Sequence, residues 1–348
     1  PTAELERLYG IWSDGGAGML LSGNIQIDAD HLERPGNVII DRPPNEAMKL
    51  ALAKWAKAGT RNGNHFWAQI SHAGRQTQKN VNPHPKAPSA IKLDMPGGQF
   101  GEPVALTVEE IDTIVKRFVI AAVAVCEAGF TGVQIHAAHG YLISQFLSPR
   151  SNVRTDDYGG ELTNRARILL DIVTAVRAEL GPAIPISVKL NSADFQKGGF
   201  AFEDSVKVAL WLQQAGVDLI EISGGTYEQP KLLGIEGAER EEQQNVRQTT
   251  AMREAYFVDF ALEMQDKVSV PLMVTGGFLH RAAMIKAIDG GAAALMCLGR
   301  PLCDVPDSPA RILPGAEDLP SFEDYISPIP GWLPFLANRD VIPPLAAL

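Results

Sequence analysis

At 348 residues, 45% of them hydrophobic, the chain can bury the core of one large α/β domain or of two ordinary ones. A formal net charge of −10, with no Lys/Arg stripe interleaved with aromatics, argues against a nucleic-acid surface and against general affinity for anionic membranes. No apolar run approaches the roughly 18 residues of a membrane span, no charged-then-apolar leader opens the chain, and Cys126, Cys297 and Cys303 form no C-x-x-C pair, so a soluble, cytoplasmic protein is expected.

Thr2 to Asp14 has helical apolar spacing at Leu5, Leu8, Tyr9 and Trp12, with Thr2 as N-cap and Gly15-Gly16 as stop. Ala17 to Ile25 then reads as a strand, Glu46 to Ala58 as a helix and Phe66 to Ile70 as a strand, each pair parted by Gly, Asn or Pro. Residues 71–106 break this βαβ rhythm with a Pro- and Gly-rich excursion too long for an ordinary barrel connection, read as an insertion over the active-site face. The rhythm resumes with helix Val108 to Ala128, strand Gly132 to His136, helix Asn164 to Leu180, strand Ile184 to Leu190, helix Phe202 to Gln214 and strand Leu219 to Ser223. Helix Met252 to Gln265, strand Pro271 to Thr275, helix Arg281 to Asp289 and strand Ala293 to Leu298 follow. Seven Val/Ile/Leu-rich strands joined by helices mean a (β/α) barrel or a doubly wound parallel sheet, and the lack of a G-x-G-x-x-G after a strand lowers the second reading. Pro-rich residues 301–348 are placed as a C-terminal wrap on a single domain spanning 1–348.

The chemistry concentrates at Gly132-Val-Gln-Ile-His-Ala-Ala-His-Gly-Tyr-Leu142. An apolar strand ends there in two histidines and a tyrosine, and the C-terminal ends of strands are where α/β barrels carry their active sites. His136 and His139 offer two imidazoles to one small polar group, while Tyr141 adds a phenol able to give or take a proton. Standing alone, a histidine at a strand end is as readily a hydrogen-bonded structural residue. A metal is not expected, since zinc-binding helices use His at i and i+4, these stand at i and i+3, and no third ligand is near. Two glycine signals, Val274-Thr-Gly-Gly-Phe278 and Cys297-Leu-Gly-Arg300, follow the last two strands, where barrels commonly bind phosphate on backbone N–H groups. Arg300 adds a cationic fork.

In combination these segments resemble the Old Yellow Enzyme family of flavin-dependent ene-reductases over nearly the whole chain. The resemblance also rests on Trp67-Ala-Gln-Ile-Ser-His-Ala-Gly-Arg75, Ser144-Gln-Phe-Leu-Ser-Pro149, Asn152, Arg154, Asp157, Tyr158-Gly-Gly160 and Asn164-Arg165. It implies an FMN-containing (β/α)8 TIM barrel that reduces activated C=C bonds, such as those of α,β-unsaturated carbonyl compounds, with NADPH or NADH. By the same resemblance Gln69 contacts the flavin pyrimidine edge, Gly23 lies beneath the ring, and Lys189, where the family usually has arginine, sits near flavin N1. Gly276, Gly277, Gly299 and Arg300 resemble the phosphate site, His136 and His139 the pair that binds the substrate oxygen, and Tyr141 the proton donor. Arg154, Asp157, Asn164 and Arg165 are expected to fix the loop carrying Tyr141, and Arg75 to tie down the insertion.

Family members begin with a strand that this sequence lacks, so the first barrel strand is expected to be absent, leaving a gap or a rearrangement, and a segment before Pro1 is expected in the natural product. Two other readings stay open: a flavin-free phosphate-binding barrel with Lys189 as Schiff-base amine, and a non-catalytic scaffold. Homo-oligomerisation is also open.

Overall fold

The computed structural model describes the chain except residues 94, 96, 227–249, 277, 279, 316–318 and 320–348, with backbone alone for 250–256. Helix α1 (Ala3–Asp14) starts at Thr2, whose side chain accepts the Leu5 N–H, and stops at Gly15. The expected strand over 17–25 is two short pieces, β1 (Met19–Leu21) and β2 (Ile25–Gln26). Both pair with the same long strand, β4 (His65–Ser71): β1 lies along its first residues and β2 along its last. The interruption at 22–24 bonds sideways, because Ser22 N–H donates to the Trp67 carbonyl and Gln69 N–H to Ser22 Oγ. An additional strand, β3 (Val38–Ile39), extends the sheet beyond β2.

Helix α2 (Glu46–Gly59) leads into β4. In the insertion, β5 (Lys86–Ala87) and β6 (Val104–Ala105) form a separate two-stranded sheet, and buried Leu93 and Phe100 anchor it. Helix α3 (Val108–Glu127) opens with a full capping box, Thr107 with Glu110. Strand β7 (Gly132–Ala137) and a six-residue helix α4 (Leu142–Leu147) follow. The expected helix over 164–180 is broken at Ala166 into α5 (Leu162–Arg165) and α6 (Arg167–Leu180). Then come β8 (Ile186–Asn191), α7 (Phe202–Gln214), β9 (Leu219–Ser223), α8 (Thr250–Gln265), β10 (Leu272–Thr275), α9 (Arg281–Asp289) and β11 (Leu295–Cys297). Two short helices, α10 (Arg300–Asp304) and α11 (Ser308–Ile312), attach to the first helix through Trp12 Nε1 on the Leu302 carbonyl (3.1 Å) and Ala310 N–H on the Gly15 carbonyl (3.0 Å). The remainder of the expected C-terminal wrap lies outside the described residues, apart from residue 319.

All pairings in the main sheet are parallel, in the order β11-β10-β9-β8-β7-β4-β2-β3 with β1 also on β4. Strand alternation divides the side chains into two sets. Ile70, Val133, Ile135, Val188, Ile220, Ile222 and Val274 join the helices in the large core, while Trp67, Leu219 and Met273 form a separate inner cluster with Met19, Leu21 and Cys297 packed against it. The sheet therefore wraps into a barrel wall with helices outside. Among the described residues it does not close: β1 and β11 are not paired, and a largely apolar cleft of about 930 Å³ separates them, lined by Leu21, Met273, Leu295, Cys297, Gly299 and Arg300 among others. No helix among the described residues is long and apolar enough to cross a membrane.

Candidate active site

Along β4, β7, β8 and β9 the inner positions that follow Trp67 and Leu219 are polar: Gln69, Gln134, His136, Lys189, Asn191, Glu221 and Ser223. Their side chains find one another. Gln69 Nε2 donates to Gln134 Oε1 (2.6 Å), Gln134 Nε2 donates to Glu221 Oε2 (2.8 Å), and Lys189 Nζ lies 2.9 Å from Glu221 Oε1, which also accepts from Thr275 Oγ1. Glu221 is fully buried, and a buried carboxylate is tolerable only with this degree of pairing.

Just above this chain His136, His139 and Tyr141 come together as expected. The His136 ring centre is 5.2 Å from that of His139 and 4.8 Å from that of Tyr141, both edge-on. Ala138 N–H donates to His136 Nδ1 (3.3 Å), which leaves the proton of the neutral ring on Nε2 as a donor. His139 occupies a left-handed conformation (φ 60°), followed by Gly140 (φ 76°), where an added Cβ would stand 2.6 Å from Gln76 Nε2. Four contacts hold this unusual turn. His139 N–H donates to Asn191 Oδ1 (3.1 Å), its carbonyl accepts from Gln76 Nε2 (2.6 Å), its Nε2 meets Ser223 Oγ (2.6 Å), and the Gly140 carbonyl accepts from Gln145 Nε2 (2.6 Å). Burial, then the neighbouring imidazole and the Lys189 ammonium, push His136 well below the usual histidine range; burial and Lys189 do the same to His139. Both rings are neutral hydrogen-bonding groups at neutral pH. Tyr141 Oη donates to Glu33 Oε2 at 2.6 Å.

The surrounding charges bond outside this turn, and of those expected to fix it Arg165 alone reaches the helix that follows it. Arg165 reaches the Leu147 carbonyl at the end of α4 and Asp204 (3.0 Å), Arg154 pairs with Asp156, the neighbour of Asp157, and bonds to the Pro88 and Leu106 carbonyls, and Asn164 Oδ1 accepts from Arg167. The Asp157 carbonyl, not its side chain, receives Arg167. Arg75 donates to the Ile91 and Lys92 carbonyls, tying the insertion down.

Among the described residues one cluster has metal-ligand composition, Asp28 with His31 and His72. Its tautomers disfavour a cation. His31 Nε2 accepts from Lys86 N–H and His72 Nδ1 from Gly74 N–H, so each ring carries its proton on the nitrogen facing Asp28 (3.3 and 3.9 Å) and has no lone pair left for a metal there. Burial alone would raise the Asp28 carboxyl, but the imidazole N–H groups of His31 and His72 that face it outweigh this and hold it well below the carboxylate range.

The expected phosphate residues lie apart from the histidines, at the neighbouring ends of β10 and β11, where Thr275 and Cys297 are register partners. Gly276 (φ 104°) and Gly299 follow them with open space where a Cβ would stand, as has Gly23 next to β1. Gly277 lies outside the described residues. Gly299 and Arg300 border the open cleft, which does not reach Gln69, Lys189, His136, His139 or Tyr141. The set nonetheless fits an FMN-like group: amide and ammonium groups along one polar edge, uncovered backbone at three glycines, and a cation at the far end. Sequence reading missed Gln134, Asn191, Glu221, Ser223 and Glu33. Polar residues at every second position of otherwise apolar strands were a signal for the first four, whereas Glu33 carried none.

The model of the NADH:flavin oxidoreductase / NADH oxidase family matches residues 9–318. The NADH-dependent flavin oxidoreductase iliE of Hypocrea jecorina is 36% identical over 331 residues, covering 90% of this chain and 80% of the relative. The protein of the same name from Neonectria sp. is 38% identical over 318 residues, but these are 86% of this chain and only 41% of the relative, so the chain spans less than half of that protein. Among solved structures, the old yellow enzyme homologue from Zymomonas mobilis superposes with a TM-score of 0.73 at 25% identity over 95% of this chain and 88% of the other. The chain belongs to the NADH:flavin oxidoreductase / NADH oxidase family, the Old Yellow Enzyme group of (β/α)-barrel proteins.

Proposed function

We propose that the protein is an FMN-dependent ene-reductase that uses NADH or NADPH to reduce an activated C=C bond, such as that of an α,β-unsaturated carbonyl compound. The observation that carries this reading is the grouping of two buried neutral imidazoles and a phenol beside the Gln69–Gln134–Glu221–Lys189 chain. Relatives named NADH-dependent support a nicotinamide donor.

Gln69, Lys189 and His136 would hold the polar edge of the flavin, Gly23 would lie against its ring, and Gly276, Gly277, Gly299 and Arg300 would take its phosphate. When bound, flavin supplies the two-electron transfer from nicotinamide to the alkene. His136 and His139 bind the substrate oxygen and, as fixed donors in a site with little water, stabilise the enolate-like charge that grows on it. Their neutrality matters, because a neutral ring donates without presenting a permanent charge to the resting site. Tyr141 supplies the proton to the α-carbon, and the pinned turn at His139–Gly140 keeps the three groups in register. A Schiff-base barrel is less well supported, since Lys189 is held in an ion pair with Glu221, whereas an amine nucleophile must be uncharged.

An absorbance spectrum of purified protein, before and after addition of NADH under anaerobic conditions and again after an enone, tests the proposal. A flavin band that bleaches with NADH and returns with the enone is expected. Colourless protein that takes up no added FMN would reject it.

A further inference from the structure

Glu33 lies in the loop after β2, yet it accepts from Tyr141 Oη at 2.6 Å, a contact between residues 108 apart in the chain. The same oxygen accepts from Asn24 Nδ2 (2.5 Å), and Oε1 faces Asn37 Nδ2 (3.4 Å) and the Arg34 guanidinium (3.2 Å). Four donors on two oxygens is the pattern of a carboxylate. Tyr141 is buried, the Glu33 side chain is 9% exposed and that of Arg34 30% exposed, so the carboxyl joins a buried phenol on one oxygen to the solvent side on the other. Among the described contacts its charged or titratable neighbours are Arg34 and Tyr141, with His136 behind the phenol.

Resting on the assignment of Tyr141 as proton donor, we propose that Glu33 positions this phenol and returns its proton, acting as the link between Tyr141 and solvent. A phenol that protonates carbon is left as a phenolate, and a phenolate in contact with a carboxylate would place two anions side by side. An O–H directed at Glu33 also cannot face the substrate. Both difficulties vanish when Glu33 first takes a proton from water on its Arg34 side. The carboxylic acid then donates to Tyr141 Oη and the phenol O–H turns to the substrate. Its O–H bond breaks as the C–H bond at the α-carbon forms, and the Glu33 proton passes to the phenol oxygen. Tyr141 ends as phenol and Glu33 as carboxylate, one proton having moved from water to carbon.

The test is the alkene-reducing half-reaction of the flavin-loaded enzyme in mixtures of light and heavy water. Reduced flavin carries an exchangeable N–H of its own, so the wild-type rate should bow more strongly with deuterium fraction than that of a relay-deficient variant, because one further proton moves; equal curvature would overturn the proposal. Glu33→Gln keeps the shape, but it removes the negative charge, turns one accepting oxygen into an N–H donor that faces other donors, and cannot pass a proton. It should slow this half-reaction roughly tenfold to hundredfold, less than the 10²–10⁴ of a general acid itself, and lessen the bow. Wild-type rate and curvature in Glu33→Gln would overturn the relay while leaving the donor reading intact if Tyr141→Phe is slow. A fast Tyr141→Phe would instead remove the donor reading and the relay together. In flavin-free protein, the tyrosinate absorbance assigned to Tyr141 by difference from Tyr141→Phe should appear at lower pH in Glu33→Gln than in the wild type; an unchanged titration would mean that the contact does not exist in solution.

Discussion

The mouth of the barrel has two halves built by the same strand alternation, and they differ in what lies beside their strands. β4, β7, β8 and β9 are each paired on both sides, and Gln69, Gln134, Glu221 and Lys189 on them satisfy one another. At β11 and β1 the sheet ends among the described residues, Leu295 is 40% exposed and Gly299 and Arg300 border an open cleft. A buried polar network forms only where each member is flanked on both sides. The half that would carry out the chemistry is thus closed, whereas the half that would hold the phosphate depends on a sheet edge.

The sharpest test of the closed half is Tyr141→Phe. Alkene reduction should slow by roughly 10²–10⁴-fold while flavin reduction by NADH stays nearly unchanged, as stopped-flow traces of the two half-reactions would reveal; equal slowing of both would make Tyr141 a structural residue. Nitroalkene substrates serve as a control, since their carbanions are stable enough to leave before protonation.

Next in size is Lys189→Met, which strips Glu221 of its cation and should cost roughly 3–5 kcal/mol, the usual price of leaving one buried partner unpaired. Urea unfolding of flavin-free protein measures it, and adding Glu221→Gln should restore most of the loss. In flavin-loaded protein the single variants should move the flavin potential in opposite directions, down for Lys189→Met and up for Glu221→Gln, because each leaves the other charge alone.

Acid should then weaken the closed half. Burial, partly opposed by the nearby Asp28 carboxylate, lowers His72 to about 4, and His136 and His139 are lowered as well. Between the folded values and the ordinary histidine value of about 6.5 the unfolded chain binds more protons, so stability is full above that range and falls as pH drops through it. From pH 7 to pH 5, His72 alone should remove about 2 kcal/mol. A Tm that stays level across this interval would show that these rings are protonated in the fold.

The smallest effect belongs to the open edge. Arg300 is exposed, so Arg300→Ala should weaken FMN retention by about tenfold, roughly 1.4 kcal/mol. Equilibrium dialysis against FMN checks this, and unchanged affinity would move the phosphate elsewhere.

Much of the architecture follows from local sequence. Residues 202–214, 219–223 and 281–289 have the boundaries read from periodicity, because Gly216, Gly224 and Gly290 stop these elements locally. The break at Ala166, the six-residue α4 and the division of 17–25 into β1 and β2 were not legible, since each depends on partners distant in the chain: Arg165 on Asp204, and Ser22 on Trp67 and Gln69. The histidines and tyrosine were legible because one strand end carries all three. What only tertiary structure decided is who stands next to them. It places Glu221 against Lys189, Glu33 against Tyr141, and, among the described residues, an open cleft beside Arg300. Alternation states which face a side chain takes, but the neighbour it meets there is set by sheet order and loop packing, and the charge and proton supply of a site depend on those neighbours.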